Sequence, residues 1–184
     1  MRMNHTERLR DPNHPSHVFK YCPNCGQQKI LYQEYDAFTC RNCDFTFFIN
    51  NASAVACIIE DDNGDILFTR RNGEPFAGML DLPGGFVDVM ESAGQAIKRE
   101  INEELNLDIT RHEFITSQPN HYTYKGITYY TLDLAFKCIA ADLSPIKKSE
   151  EVAEYTFLNR DEINLKEIGF VSIRKIINYY LMIV

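Results

Sequence analysis

The feature that most constrains this chain is an acidic helix that follows a glycine-rich turn. The sequence predicts the helix from about Ser92 to Leu105, after the turn Leu82-Pro83-Gly84-Gly85. At about 100° per residue, Glu100, Glu103 and Glu104 fall within an arc of roughly 100° on one side of it. The adjoining side is apolar and is expected to pack on a sheet. Its members are Ile97, Ile101 and Leu105.

The crowding of these carboxylates needs a physical reason. Each like-charge pair at i, i+3 or i, i+4 costs roughly 0.2–0.5 kcal/mol, and Arg99 can offset only part of the repulsion. A divalent cation would offset more, because Mg²⁺ and Mn²⁺ bind hard oxygen ligands. The pattern therefore predicts a Mg²⁺ or Mn²⁺ site, and the alternative is an acidic helix surface that is merely solvated.

The spacing of this stretch resembles the Nudix box of the Nudix hydrolases, written Gly-x5-Glu-x7-Arg-Glu-Ile-x-Glu-Glu-x-Asn-Leu. One position departs, because Asn106 stands where the family has a late glycine. Asparagine tolerates a left-handed backbone better than most residues, so we expect the helix to end there normally. The matching residues are Gly85, Glu91, Arg99, Glu100, Ile101, Glu103, Glu104 and Leu107.

The resemblance implies a metal-dependent hydrolase that acts on a nucleoside diphosphate linked to another group. It implies that the three helix glutamates hold one to three Mg²⁺ or Mn²⁺ ions, with the Gly85 carbonyl as a further ligand. It also implies that Glu91 pairs with Arg99 and fixes the start of the helix. The predicted catalytic residues are Glu91, Arg99, Glu100, Glu103 and Glu104.

The general base stays open at this point. In some members of the family a helix glutamate serves, and in others a glutamate on a downstream loop. Glu150 and Glu151 lie in a suitable loop before a predicted strand. Because a base must first meet a geometric requirement, a solvated loop is the alternative for both residues.

Four of the six cysteines form two Cys-x2-Cys pairs, Cys22 with Cys25 and Cys40 with Cys43. Zinc prefers four tetrahedral thiolates, and each pair supplies two of them from one tight turn. Two disulfides are the alternative, which a reducing cytosol disfavours. We expect a structural zinc ribbon, since a four-cysteine site leaves no open position for catalysis.

The length and the net charge of the chain limit its domain organisation and its function. The 184 residues allow one full-sized domain and a small module. We predict a flexible N-terminal segment at 1–20 with solvated histidines, the zinc ribbon at 21–48 and the Nudix hydrolase domain at 49–184. The formal charge of −7 argues against tight nucleic-acid binding. The absence of an apolar run of eighteen residues and of a signal-peptide core predicts a cytoplasmic protein without membrane contact.

Strands running in both directions around two main helices predict a mixed-sheet α/β/α sandwich, which the Nudix resemblance also implies. The segment from Ser117 to Gly126 follows a predicted strand, and a continuous strand would put Tyr122 and Tyr124 on one face, with Gly126 expected to break the register. Asn159 or Asp161 could cap a short helix. The predicted strands are Lys29–Tyr35, Ala37–Cys40, Ala52–Ile59, Ile66–Arg70, Asp108–Ser117, Ile127–Cys138 and Val152–Leu158, and the last helix is Val171–Leu181.

The sequence says less about which nucleotide is the substrate than about which reaction is catalysed. A zinc ribbon ahead of a Nudix domain resembles the NADH and ADP-ribose pyrophosphatase branch, and Ser117-Gln118-Pro119 starts as the NADH pyrophosphatase signature does. The chain then departs from that signature, which leaves the nicotinamide assignment open. Tyrosine rings after Pro119 could stack on an adenine, and filling of core or surface is the alternative for them. The proposed substrate contacts are Arg70, for a diphosphate, and Gln118, Tyr122 and Tyr124.

Three functions follow from these patterns. The first is a pyrophosphatase that acts on NADH, ADP-ribose or FAD-like substrates and releases a nucleoside monophosphate. The second is a nucleoside triphosphate pyrophosphatase of the pool-sanitising type, and the third a non-catalytic nucleotide sensor whose ribbon binds a partner. A homodimer is compatible with each of them, and the intact acidic residues favour an enzyme.

Overall fold

The computed structural model describes residues 5–28, 30–33 and 37–183, which divide into two compact units. The first unit comprises the described residues of Met1–Asn51 together with His121–Tyr130. The second comprises Ala52–Asn120 and the described residues of Thr131–Val184. A short stretch far along the chain thus joins the N-terminal residues, a division that the local sequence patterns did not predict.

The first unit is built on a small antiparallel sheet. Its strands are β1 (Ile30–Gln33), β2 (Ala37–Cys40) and β3 (Thr46–Phe48), in the order β1-β2-β3. The register pairs Tyr32 with Phe38 and Phe38 with Phe47. The described parts of both predicted ribbon arms are therefore strands. The predicted residues Lys29, Glu34 and Tyr35 lie outside the described part of the chain.

The segment at 5–20, predicted to be flexible, contains two short helical elements. These are α1 (His5–Leu9) and a 3-10 turn at Pro15–His17. His14 caps the turn and is completely buried, so the prediction that its side chain is solvated was wrong. The reason is tertiary, because the rings of Tyr32 and Tyr130 cover it at 5.0 and 5.9 Å between centroids.

The second unit contains two three-stranded sheets and two long helices. One sheet has the order β4-β8-β7 and the other β6-β5-β9. β4 and β8 are parallel, whereas β5 pairs antiparallel with both of its neighbours. The elements are β4 (Ala52–Ile59), β5 (Ile66–Arg71), β6 (Leu80–Asp81), α2 (Ala93–Leu105), β7 (Ile109–Tyr124), β8 (Ile127–Ala140), β9 (Val152–Leu158) and α3 (Val171–Ile183).

The side chains of β4 alternate between two apolar cores, as period-two geometry requires of a strand buried on both faces. Cys57 and Ile59 belong to the core that contains the apolar side of α2. Ile58, between them, belongs to the core that contains Ile176 and Ile177 of α3. The predicted mixed-sheet α/β/α sandwich is confirmed.

The strand predicted at Asp108–Ser117 extends further than its predicted end, because β7 continues to Tyr124. The chain reverses only at Lys125 and Gly126, whose φ values are +48° and +79°. Two consecutive residues with positive φ form the turn type that matches the twist of a β-hairpin. β7 is an edge strand, where Pro119 removes no hydrogen bond from the interior of the sheet.

Among the residues that the structure describes, no helix combines the length and the apolar character that crossing a membrane would need.

Candidate active site

Local signals fix both ends of α2, as predicted. At the N-terminus, Ser92 Oγ accepts from the Gln95 backbone N–H at 3.3 Å, and Gln95 Oε1 accepts from the Ser92 N–H at 2.9 Å. This reciprocal capping box satisfies two donors that have no partner within the helix. At the C-terminus, Asn106 has a left-handed φ of +56° and donates its N–H to the Asn102 carbonyl. The departure from the family glycine therefore leaves the helix end intact.

The apolar side of α2 is sealed in the core, and this burial orients the acidic side. The side chains of Ile97, Ile101 and Leu105 are completely buried, which confirms the predicted stripe. Burial of three such residues contributes roughly 1.5–3 kcal/mol each. Because the helix cannot rotate without exposing them, its three glutamates are held on the adjoining side of the helix, outside this core.

Arg99 gathers several of the predicted catalytic residues. Its Nε and Nη2 donate to the two oxygens of Glu91 at 3.0 and 2.8 Å, a bidentate pair. Its Nη1 donates to Glu100 Oε1 at 2.8 Å and to Glu103 Oε2 at 3.2 Å. Hydrogen bonds from the Arg99 guanidinium to Glu91, then to Glu100, hold the pKa of Arg99 above its usual range. The pairing of Glu91 with Arg99 is therefore present.

The glycine-rich turn lies directly against the helix glutamates. The Gly84 N–H donates to Glu104 Oε2 at 3.0 Å. Gly84 has φ +138°, and a Cβ on it would lie 2.2 Å from the Val55 carbonyl oxygen. A Cβ on Gly85 would lie 2.5 Å from Glu100 Oε1. Gly84 is thus required by its close approach to the backbone of β4 and by its positive φ, whereas at Gly85 the Glu100 carboxylate would have to move.

The Gly85 carbonyl has one partner already. It accepts a hydrogen bond from the Val55 backbone N–H at 2.8 Å. A carbonyl oxygen carries two lone pairs, so one remains for a further ligand. The predicted role of Gly85 as a metal ligand stays a prediction that this geometry permits.

Two helix glutamates sit in an environment that disfavours their charge. Burial raises the pKa of Glu104 to about 8, with further repulsion from Asp81 and Glu100 against the opposing hydrogen bond from Gly84. Burial likewise raises the pKa of Glu100, against the neighbouring charge of Arg99. The charge of Glu151 contributes repulsion to both carboxylates. These groups would gain most from a cation beside them.

Glu103 differs from its two neighbours. Its side chain is 60% exposed, and its carboxylate pairs with Arg99. Among the described residues, Glu100, Glu103 and Glu104 do not form a group whose ligand oxygens all lie within 4.8 Å of one another. The structure therefore places Glu100 and Glu104, both partly buried, against the glycine-rich turn, and it leaves Glu103 at the surface. The hard oxygen donors of Glu100 and Glu104 fit Mg²⁺ or Mn²⁺.

A cleft of about 370 Å³ opens beside Glu104. Ligand sites in proteins commonly measure ~300–1,000 Å³. Arg70 lies in the cleft, and its Nη1 donates to the Gly78 carbonyl at 3.1 Å. The cleft is lined by Thr69, Arg70, Arg71, Asn72, Gly73, Asp81, Leu82, Gly84, Glu104, Glu150, Glu151 and Val152.

The loop before β9 brings both candidate bases to this cleft. The Ser149 N–H donates to the Glu104 carbonyl at 2.8 Å, which ties the loop to the end of α2. Asn72 Nδ2 donates to the Glu150 carbonyl at 2.7 Å, which ties it to the end of β5. Glu150 and Glu151 therefore meet the requirement of proximity to Glu104, and the choice of the base stays open.

Arg71 and Asp81 form an ion pair in the cleft that the sequence did not predict. Arg71 Nη1 lies 2.9 Å from Asp81 Oδ2, and Asp81 Oδ1 accepts from the Leu82 N–H at 2.9 Å. Burial raises the pKa of Asp81 to about 6 against the charge of Arg71. The available signal was a charged residue between two leucines directly before the glycine-rich turn.

The remaining predicted substrate contacts lie elsewhere. Gln118 lies on β7 and does not line this cleft. Tyr122 and Tyr124 belong to the first unit, where Tyr122 stacks on Tyr129 at 5.8 Å with an interplanar angle of 18°. Their contact with a nucleotide stays a prediction.

The four predicted zinc ligands converge in the first unit. All four Sγ atoms lie within 4.8 Å of one another. The Cys22–Cys43 and Cys25–Cys40 separations are both 3.7 Å, too long for disulfides. A tetrahedron with Zn–S distances of ~2.3 Å has edges of ~3.8 Å, so the cluster has the dimensions of a zinc site. Asn24 Nδ2 donates to Cys43 Sγ at 3.5 Å, and this hydrogen bond lowers the pKa of Cys43 to about 7.

An α/β/α sandwich with partly buried glutamates between a glycine-rich turn and a cleft fits the class of hydrolases. Within that class the chain belongs to the NUDIX domain family, whose model matches residues 50–179.

Similar curated proteins include a NAD-capped RNA hydrolase and an ADP-ribose pyrophosphatase. The chain is 23% identical over 137 residues to the NAD-capped RNA hydrolase NudC of Vibrio atlanticus, a match that covers 74% of this chain and 50% of that protein. It is 44% identical over 63 residues to the ADP-ribose pyrophosphatase of Methanocaldococcus jannaschii, covering 34% of this chain and 37% of that protein. The chain thus spans about half the length of the curated relatives it matches, between 37% and 58%.

A solved structure agrees with the fold. The crystal structure of a NUDIX hydrolase from Nitrosomonas europaea matches with a TM-score of 0.67 and 26% identity. The match covers 89% of this chain and 91% of that one. The likeness therefore extends well beyond the acidic helix.

Proposed function

We propose that this chain hydrolyses a diphosphate bond in a nucleoside diphosphate linked to another moiety and releases a nucleoside monophosphate. Candidate substrates are NADH, ADP-ribose and FAD-like molecules. The observation that supports this most is the pair of partly buried carboxylates, Glu100 and Glu104, of which Glu104 lines a cleft together with Arg70. The names of the curated relatives, NAD-capped RNA hydrolase and ADP-ribose pyrophosphatase, agree with it.

Diphosphate hydrolysis needs little covalent participation from the protein. It needs charge stabilisation on the phosphoryl oxygens and an aligned water. Arg70 is suited to the first task because a guanidinium can donate two parallel hydrogen bonds to a phosphate. Its present ion pairs are long, 3.4 Å to Glu154 and 3.6 Å to Glu167. They are therefore readily exchanged for a phosphate.

The acidic residues have three further roles, which are metal binding, positioning and proton acceptance. Glu100 and Glu104, with Glu103 and the Gly85 carbonyl, would hold Mg²⁺ or Mn²⁺, which supplies charge neutralisation and lowers the pKa of a bound water. Glu91 and Arg99 hold Glu100 in place through the hydrogen bonds described above. Glu150 or Glu151 accepts a proton from the water if a loop residue is the base.

The zinc ribbon has a structural role in this proposal. Cys22, Cys25, Cys40 and Cys43 would hold Zn²⁺ through four thiolates, which leaves no open position for a substrate. We place the protein in the cytoplasm, where reduced thiols favour zinc over disulfides. The partner is the nucleotide substrate itself, and a homodimer remains compatible with it.

A substrate panel tests the proposal. The purified protein is incubated with NADH, ADP-ribose, FAD, diadenosine polyphosphates and nucleoside triphosphates, each with Mg²⁺ or Mn²⁺, and products are separated by chromatography. We expect AMP from the linked diphosphates and no more than slow release of pyrophosphate from the triphosphates. Glu104→Gln serves as the matched variant, because it removes the charge and retains the shape of the side chain.

Other results of the substrate panel would contradict the proposal. Preferred cleavage of triphosphates to monophosphate and pyrophosphate would contradict the proposal in favour of a pool-sanitising enzyme. Nucleotide binding without turnover of any substrate would favour a sensor. Equal rates for the wild type and Glu104→Gln would remove the helix carboxylates from the mechanism.

A further inference from the structure

The zinc ribbon shares its structural unit with the tip of the β7–β8 hairpin. Residues His121–Tyr130 belong to the first unit, although they lie more than seventy residues after the ribbon in sequence. We propose that the ribbon holds this tip in place, so that zinc binding at the four cysteines and the order of the hairpin tip are coupled.

The first connection is a set of hydrogen bonds to Thr128. Its backbone N–H donates to the Asn13 carbonyl at 2.8 Å, and its Oγ1 donates to Asp11 Oδ2 at 2.5 Å. Asp11 Oδ1 accepts from the Asn13 N–H at 2.9 Å. Burial raises the pKa of Asp11, but the hydrogen bonds from Thr128 and Asn13 outweigh it and hold the pKa below its usual value. Asp11 is therefore ionised, and both of its oxygens are used in this connection.

The second connection passes through the buried ring of His14. Its Nδ1 accepts from the Ser16 N–H at 3.1 Å, which leaves the ring proton on Nε2 in the neutral ring. Nε2 lies 3.3 Å from the hydroxyl oxygen of Tyr32, so it donates to that oxygen. The same ring lies 5.9 Å from the ring of Tyr130, on the hairpin tip. His14 thus contacts the ribbon on one side and the tip on the other.

Tyr32, the ribbon residue that contacts His14, is connected to the zinc ligands by side-chain packing. Tyr32 on β1 lies 5.4 Å from Phe38 on β2, its partner across the sheet. Phe38 lies two residues before Cys40 on the same strand, and both are buried. A short ribbon cannot bury enough apolar area to fold alone, so the metal supplies much of its folding free energy. Loss of zinc therefore loosens Phe38, Tyr32 and His14 together.

The tip that this arrangement holds is aromatic. Tyr122 and Tyr129 stack across the hairpin, and Thr123 and Thr128 approach to 3.2 Å between hydroxyl oxygens. Tyr129 is 42% exposed, which leaves part of the stacked surface open to a planar ring such as a nucleobase. A zinc-dependent affinity for such a ligand rests on the proposed function, whereas the coupling itself does not.

Hydrogen exchange measured by mass spectrometry tests the coupling without any assay of activity. The full chain is compared with Cys25→Ser, which removes one thiolate. We expect peptides from 121–130 to exchange at least about fivefold faster, the size that one lost hydrogen bond gives. Peptides from 131–138 pair with β4 in the second unit and serve as the internal control. They are expected to keep their protection.

Two results would overturn the proposal. Unchanged exchange at 121–130 after loss of zinc would show that the tip does not depend on the ribbon. Equal acceleration at 121–130 and 131–138 would show a general loss of stability in place of a specific coupling.

A reciprocal experiment guards against failure of Cys25→Ser to fold. Coupling must act in both directions, so weakening the tip must weaken zinc binding. Thr128→Val removes the hydroxyl that donates to Asp11 and keeps a branched side chain in the strand. We expect zinc transfer to a colorimetric chelator to quicken about fivefold.

Thr110→Val is the control for this experiment, because it makes the same change on β7 in the second unit, where the hydroxyl donates to the Ile139 carbonyl at 3.0 Å. Equal zinc release from both variants and the wild type would contradict the coupling.

Discussion

Gly84 and Glu104 are joined by a hydrogen bond from backbone to carboxylate at 3.0 Å. The glycine-rich turn thus contacts the helix that follows it, and one of its amides partly compensates a buried acid. The burial of Glu104 in turn depends on the turn remaining close to β4, where the Val55 N–H donates to the Gly85 carbonyl. This three-part contact of strand, turn and helix positions the candidate metal ligands.

Substitution of Gly84 tests that contact. Gly84→Ala would place a Cβ 2.2 Å from the Val55 carbonyl oxygen at a φ of +138°. We expect the free energy of unfolding to fall by at least about 2 kcal/mol in chemical denaturation, from strain and displacement of the turn. Gly73→Ala is the control, because no atom lies within 4 Å of its added Cβ. Equal stability of the two variants would contradict the close approach.

The ion pair between Arg71 and Asp81 predicts that substitutions at these two positions have non-additive effects on stability. Arg71→Met leaves a buried carboxylate without its cation, and we expect a loss of about 3 kcal/mol of stability. Adding Asp81→Asn should restore part of that loss, because the uncompensated charge is then gone. Denaturation of the two single variants and the double variant measures the coupling.

Arg70→Met is the control for this cycle. Arg70 lies one residue earlier, but its ion-pair partners Glu154 and Glu167 have side chains that are 65% and 51% exposed. We expect it to cost less than about 1 kcal/mol. Strictly additive effects of Arg71→Met and Asp81→Asn would show that the two residues do not interact.

The raised pKa of Glu104 predicts how stability depends on pH without added Mg²⁺ or Mn²⁺. Its pKa is about 8 in the folded chain and close to the ordinary value of 4.5 when unfolded. Between these values the folded state binds the proton more tightly, so this contribution is present at low pH and is lost as pH rises from about 4.5 to 8.

Thermal melts of the wild type and Glu104→Gln between pH 5 and pH 8.5 measure the effect. The variant has no carboxylate at this position to titrate, so the melting temperature of the wild type should fall relative to it as pH rises. A constant difference across the range would contradict the burial of Glu104.

Loss of one zinc ligand predicts a further change. Cys25→Ser should release the metal, measured by atomic absorption, and lower the melting temperature, because metal binding contributes to folding. The 3.7 Å separation of Cys25 and Cys40 supports this expectation. A wild-type protein that contains no zinc and has the same melting temperature as the variant would contradict the zinc site.

The sequence predicted best what local signals determine. Both ends of α2 were correct, because Ser92 and Asn106 form their caps with residues within four positions. The strands β4 and β9 were correct to the residue, because their apolar residues and the flanking turns lie close together in sequence.

The sequence failed where distant residues decide the structure. The predicted strand ended at Ser117, but β7 continues to Tyr124, because at the edge of the sheet Pro119 interrupts no interior hydrogen bond. The burial of His14 depends on Tyr32 and Tyr130, which are far from it in sequence. The ion pair between Arg71 and Asp81 likewise joins two strands, β5 and β6, and neither residue belongs to the family motif.

Mn²⁺ binding followed by electron paramagnetic resonance decides whether Glu100 and Glu104 bind a divalent cation. Free Mn²⁺ is titrated with the wild type, with Glu104→Gln and with Glu113→Gln, a matched change at an exposed position on β7. We predict that Glu104→Gln raises the dissociation constant more than ~10-fold and that Glu113→Gln leaves it unchanged. The same affinity in all three proteins, or no binding by the wild type, would contradict the account.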